Sequence, residues 1–184
     1  MKTVILKISG KALNDIFITD KWISEIKKIN EVFGNLIIVH GAGTSISEWS
    51  EALGLEAKFI NGQRVTTEKV MDVVAAVQSG ILNSKIISKM TTNGIDAVGL
   101  SGIDRGTFVA ENINLDLGNV GIPKVVGDVK WIDDLLKEGV TPVFSSVCRN
   151  SSGSLMNVNA DIFTEVLAAA LKVDSVFFVS EVTG

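Results

Sequence analysis

Val4-Ile5-Leu6-Lys7-Ile8-Ser9-Gly10-Lys11 is the stretch whose reading decides the fold. Its apolar, β-branched run is too short for a core helix and stops at Ser-Gly, so it reads as a fully buried strand followed by a turn. The lysine inside it needs an explanation, because taking an ammonium out of water without an anion costs several kcal/mol. Three outcomes are open. Lys7 meets a carboxylate, or waits for an anionic ligand at the strand's carboxyl end, or snorkels into water as an ordinary strand-end lysine.

Outward from this strand, the same pattern recurs. Leu36-Ile37-Ile38-Val39-His40 runs into Gly41-Ala42-Gly43-Thr44, and a helical spacing of Ile46, Trp49 and Leu53 follows, stopping at Gly54. Between the two strands Trp22, Ile23, Ile26 and Ile29 predict a short helix with Asp20 as its N-cap. Further strands are expected over 97–100, 141–147 and 175–179, with helices over 131–137 and from the 157–161 segment to Lys172. Strands alternating with helices define an α/β chain, a three-layer α/β/α sandwich on a mainly parallel central sheet, with residues 1–184 as one domain. Asn61-Gly62 between 57–60 and 63–66 predicts a hairpin. Thr66 or Thr67 then caps a long helix ending at Asn93-Gly94, roughly 36 Å from Thr67 to Met90 at 1.5 Å per residue. Its two β-branched faces suggest cover on more than one side. The stretch 107–129, broken by Gly118, Gly121, Pro123 and Gly127, is expected to form surface hairpins.

Composition narrows the class. The 184 residues suffice for one real core. No segment has some eighteen continuous apolar residues, and the start lacks the pattern of a signal peptide. One cysteine cannot make an internal disulfide, so a reducing, cytoplasmic setting is expected. A formal charge of −4 without a long basic run gives no footprint for nucleic acid. Neither a nucleic acid nor a membrane is expected as partner, and no metal-ligating cluster is singled out.

Three strand-end turns can converge, since open α/β sheets gather ligands at the carboxyl ends of their strands. They are 7–10, 41–43 and 157–161. Gly41-Ala42-Gly43 opens a helix, whose free N–H groups and dipole favour an anion, although a tight turn without a ligand fits equally well. It is not a dinucleotide fingerprint, because Ile46 stands at the third glycine's place and Asn61-Gly62-Gln63-Arg64 replaces the acidic residue downstream. Arg64, just past the hairpin turn, has the planar fork for a carboxylate. At 157–161, Asn159 suits an N-cap and Asp161 the first helical turn, whereas capping leaves Asn157 unexplained. His40 and Cys148 read as structural, the latter as a small hydrophobe.

Taken in order, Lys7-Ile8-Ser9-Gly10, His40-Gly41-Ala42-Gly43, Asn61-Gly62-Gln63-Arg64-Val65-Thr66, Val98-Gly99-Leu100-Ser101-Gly102, Met156-Asn157-Val158-Asn159-Ala160-Asp161 and Ser180-Glu181-Val182-Thr183-Gly184 resemble the amino-acid kinase family, nearest its acetylglutamate kinase branch. The resemblance covers the N-terminal two-thirds of such a kinase and implies that the substrate-binding lobe is present and the nucleotide-binding lobe is lacking after Gly184. It implies MgATP as cofactor and N-acetyl-L-glutamate, or a related N-acyl amino acid, as substrate, with phosphoryl transfer to the γ-carboxylate in arginine biosynthesis. Lys7 would stabilise the transferring phosphoryl group and Asp161 would orient Lys7. Gly10 and the Gly41-Ala42-Gly43 turn would offer N–H groups to phosphoryl and γ-carboxylate oxygens. Arg64, Asn157 and Asn159 would hold the substrate, and Ser180, Glu181 and Gly184 would begin the nucleotide site. Helix 67–90 would be a homodimer interface. Ser9, Ala42 and Glu181 depart from the residues usual in the family. The piece itself is expected to lack turnover, and a short pseudokinase or acyl-amino-acid-binding module is the alternative.

Overall fold

The computed structural model describes residues 1–13 and 21–180. In chain order its elements are β1 (Lys2–Ile8), α1 (Lys21–Phe33), β2 (Gly34–His40), α2 (Gly43–Ala52), β3 (Phe59–Ile60), β4 (Gln63–Arg64), α3 (Glu68–Thr92), β5 (Ala97–Ser101), β6 (Phe108–Asn112), β7 (Gly121–Val125), α4 (Lys130–Lys137), β8 (Thr141–Ser145), β9 (Cys148–Arg149), β10 (Leu155–Met156), α5 (Ala160–Leu171) and β11 (Ser175–Val179). Five strands form one sheet in the order β11-β1-β2-β8-β5, and every neighbouring pair is parallel. The expected architecture is present. Asp20, expected to cap α1, lies outside the described residues.

Strand alternation sorts the apolar residues into two cores. Val4, Leu6, Ile8, Leu36, Ile38 and Val143 face the layer of α1, α2 and α3. Ile5, Ile37, Val39 and Phe144 face the layer of α4 and α5. The same parity directs the polar residues at the strand ends. Lys7 shares the face of Ile5 and so points toward α5, while His40 shares the face of Ile38 and so points toward α3.

Two expectations need correction. The 107–129 stretch makes a single hairpin, β6 with β7, and it is not confined to the surface: Phe108 and Ala110 are buried in the second core, where Phe108 packs on Phe163 with ring centroids 5.0 Å apart. The helix α3 packs on the sheet and on α2, as expected of more than one covered side, but it is not covered all round. Val70, Val74, Val77, Ile86 and Met90 are buried, whereas Asp72, Ala76, Gly80, Ser84 and Ser88 form an exposed stripe. Nor is it regular, since Ala75–Leu82 is a π-helical segment. By length and composition α3 is also apolar enough to cross a membrane, but half of its most apolar window is buried and that face packs on the sheet.

The hairpin at Asn61-Gly62 is as expected. Asn61 and Gly62 both have positive φ, 50° and 78°, the geometry of a type I′ turn that joins β3 and β4. Thr67 caps α3 through its side chain, accepting from the Val70 N–H.

Candidate functional site

The three strand-end turns do converge. They wall a cleft of about 250 Å³ lined by Lys7, Gly10, the 41–43 turn, Arg64, Asn157, Asn159 and Asp161, together with Gln78 and Ser146. The floor is the carboxyl ends of β1 and β2, and the β3–β4 hairpin closes one side.

Lys7 finds its carboxylate. Its Nζ lies 2.7 Å from Asp161 Oδ1, with the lysine side chain 11% exposed and the aspartate 54%. The pairing follows from two local choices. Strand parity aims Lys7 at α5, and Asn159 starts that helix by accepting from the Asp161 and Ile162 N–H groups, which fixes Asp161 in the first turn. A half-exposed carboxylate holds the ammonium in place while leaving part of its surface open to a ligand anion.

Beside it the 9–10 and 41–43 turns touch backbone to backbone. A Cβ on Gly10 would sit 2.6 Å from the Gly43 nitrogen and 2.9 Å from Ala42, so only glycine allows this approach. The Gly41 N–H donates to the Ile8 carbonyl. Ala42 caps α2 without a side-chain acceptor, and the first N–H groups of that helix have no intrahelical partner. Space above Gly43 is open. The Ser9 hydroxyl accepts from the Ala12 N–H and starts a further helical turn at Gly10.

Arg64 is buried, 8% exposed, rather than solvated. Its Nη2 donates to the Gly43 carbonyl at 3.0 Å and to Ser47 Oγ at 2.6 Å, and its guanidinium lies 4.8 Å from the Phe59 ring centroid. Burial pulls its pKa down from the ordinary value. Nη1 has no partner. A buried guanidinium with one nitrogen tied down and the other unspent is preorganised for an anion, and leaving a charged donor unmatched is costly otherwise. Asn157 donates from Nδ2 to Thr66 Oγ1 at 3.0 Å, and Thr66 in turn donates to the Arg64 carbonyl.

His40 is structural, as expected, and α3 explains why. It is fully buried, its Nδ1 donates to the Gly41 carbonyl at 3.2 Å, and its Nε2 accepts from Asn83 Nδ2 at 3.1 Å. Burial pushes its pKa down to about 4, so the ring is neutral. Cys148 is buried and its thiol is pushed up to about 12, which makes it an inert hydrophobe.

Ser180 follows β11 and is not part of this cleft wall, while Glu181 and Gly184 lie outside the described residues. Four residues of the site were not singled out from sequence: Ser47, Thr66, Gln78 and Ser146. Gln78 had a signal, since it occupies the buried face marked by Val70, Val74 and Val77, where an amide is out of character.

An open parallel sheet with a basic, glycine-walled cleft at its strand ends is an arrangement suited to a small anion. The amino acid kinase family model matches residues 2–184, and the chain belongs to that family. Acetylglutamate kinases of Clostridium acetobutylicum and Prochlorococcus marinus are 34% and 35% identical over the whole chain. The chain spans 64% and 60% of the length of those two relatives. Among solved structures, smu.665 of Streptococcus mutans matches with a TM-score of 0.87 at 24% identity, covering 98% of this chain and 73% of that one. N-acetylglutamate synthase of Neisseria gonorrhoeae, complexed with coenzyme A and N-acetyl-glutamate, matches with a TM-score of 0.82 at 18% identity, covering 100% and 42%. Both structural likenesses concern the fold.

Proposed function

We propose that this chain binds N-acetyl-L-glutamate, or a closely related N-acyl amino acid, and serves phosphoryl transfer from MgATP to its γ-carboxylate in arginine biosynthesis, a cytoplasmic setting. The observation that carries the reading is the buried Arg64 with an unpartnered Nη1 in the same cleft as the Lys7–Asp161 pair. Two cationic side chains in one cleft suit a ligand with two anionic ends. Arg64 takes the α-carboxylate through its unspent Nη1, with the remaining amide N–H of Asn157 beside it. The γ-carboxylate lies at the other end, near the open N–H groups at the start of α2.

A carboxylate nucleophile is ionised at neutral pH, so the chain needs no general base, in keeping with a neutral His40. What it supplies is alignment and charge stabilisation. Lys7, steered by Asp161, offers its ammonium to the charge that builds up during transfer, and Gly10 leaves the backbone low enough for a phosphoryl group to approach. These residues fit a phosphoryl group; ATP brings that group, and Mg2+ enters on its phosphates. Ser180, Glu181 and Gly184 belong to the nucleotide side of this proposal. The proposed assembly is a homodimer through the exposed stripe Asp72, Ala76, Gly80, Ser84 and Ser88, whose small residues let a second helix come close. Ala76→Glu combined with Ser84→Glu should then give monomers in sedimentation.

Calorimetric titration with N-acetyl-L-glutamate tests the reading. Binding that is lost in Arg64→Gln supports it, and an absence of binding in a folded wild-type chain overturns it. Transfer is assayed separately by trapping the acyl phosphate with hydroxylamine.

A further inference from the structure

The π-helical segment of α3 turns a row of polar side chains onto the strand ends. Gln78 Nε2 donates to the His40 carbonyl and to Ser146 Oγ, both at 3.0 Å. Ser79 Oγ meets Ser145 Oγ at 2.7 Å, and Asn83 Nδ2 reaches His40 Nε2 and the Val143 carbonyl. π turns inside α-helices are often found at functional sites. The direction of the Gln78 chain is forced. Ser146 donates to the Val158 carbonyl at 2.6 Å, so its oxygen must accept from Gln78, and the His40 carbonyl can only accept. Both amide hydrogens of Gln78 are therefore spent, and the amide cannot flip. Its Oε1 accepts from no group among the described residues, although the residue is only 3% exposed and lines the cleft.

We propose that Gln78 is a specificity-determining residue whose Oε1 accepts the amide N–H of the ligand's acylated amine. The inference rests on the acyl-amino-acid reading of the cleft. At neutral pH an N-acyl dicarboxylic amino acid has both carboxylates ionised, so its amide N–H is its one hydrogen-bond donor. Two amides of the cleft are locked as acceptors, and Asn159 Oδ1 is already spent on the Asp161 and Ile162 N–H groups, which leaves Gln78 Oε1. Asn157 keeps a free N–H besides its oxygen and can serve a carboxylate, while Gln63, whose Oε1 is buried, has no side-chain hydrogen bond among the described residues that fixes its orientation. Gln78 Oε1 thus stands at the cleft as an acceptor with no donor among the described residues, and a site built to receive a ligand N–H there discriminates against analogues that lack it.

The test compares N-acetyl-L-glutamate with its ester isostere, (S)-2-acetoxyglutarate, in which oxygen replaces the N–H. Wild type should prefer the amide by about tenfold or more. In Gln78→Met, similar in length but without the acceptor, the preference should collapse, while Ser146→Ala, which leaves Oε1 in the cleft, keeps it. Equal affinity of wild type for amide and ester overturns the proposal without any variant. So does a preference that survives in Gln78→Met and disappears in Asn157→Ala, which would assign the N–H to Asn157. If wild type binds neither compound, the acyl-amino-acid reading itself has failed and this inference falls with it; a failure confined to Gln78 leaves Arg64-dependent binding intact.

Discussion

Acid should loosen this fold through one residue. Both nitrogens of His40 are committed, Nδ1 as a donor to the Gly41 carbonyl and Nε2 as an acceptor from Asn83. A proton added at Nε2 would face the Asn83 amide hydrogens in a fully buried site, and burial accordingly holds the folded pKa near 4 against an ordinary 6.5. In the unfolded chain the imidazole takes up its proton near 6.5. Between those values the unfolded state binds more protons, so stability falls as the pH falls. At about 1.4 kcal/mol per pH unit the gap corresponds to about 3 kcal/mol, fully present above pH 6.5 and lost progressively on the way down to 4. The assay is urea unfolding followed by tryptophan fluorescence across that window, for wild type and His40→Gln. Other groups titrate in both proteins, so the difference in slope isolates His40. The variant should be flatter by about the full amount. Identical slopes would refute the buried neutral histidine, and a steeper variant would reverse its sign.

Arg64→Lys keeps the charge and loses the fork that joins Gly43 to Ser47; N-acetyl-L-glutamate affinity should fall by about 10- to 100-fold in calorimetry, with an unchanged circular dichroism spectrum. Gly10→Ala should cost about 1–3 kcal/mol in urea unfolding, because its methyl group meets the Gly43 backbone; a neutral result would mean that the two turns separate readily. Asp161→Asn removes the partner of Lys7. Because that carboxylate is half exposed, the stability loss should stay near 1 kcal/mol, acyl-glutamate affinity should change little, and a large loss of either would show that Asp161 does more than orient the lysine.

Local patterns carried much of this structure. The β1 and β2 strands carry unbroken apolar runs at 4–6 and 36–39, which marks them as covered on both faces, and Asn61-Gly62 and Asn159 announce a turn and a cap by chemistry that acts within a few residues. The cleft was legible only as three separate turns. Its decisive contacts join residues far apart in sequence: Lys7 with Asp161, Arg64 with Ser47, Asn157 with Thr66, His40 with Asn83. No periodicity encodes such pairings, because the sheet order β11-β1-β2-β8-β5 brings them together. Arg64 is the instructive case. As a hairpin residue it would be solvated, and it is buried because α2 offers a carbonyl and a hydroxyl on one side while Phe59 covers its face. The π segment escaped notice for a different reason, since apolar residues across 70–90 satisfy an α-helical phase well enough to hide a local change of pitch.

That change of pitch bears on how the chain tolerates alteration in length. A π turn holds one residue more than an α turn, and one residue of α-helix is about 100° of rotation. The two halves of α3 can each stay seated on the first core, Val70 and Val74 upstream, Ile86 and Met90 downstream, because the segment between them absorbs the mismatch. A single-residue deletion within 75–82 need not break the helix; it can tighten the segment toward α pitch and swing Gln78 and Ser79 to new bearings. The middle of α3 thus serves as a rotational joint, where one codon gained or lost re-aims Gln78 at the cleft while both ends of the helix remain docked.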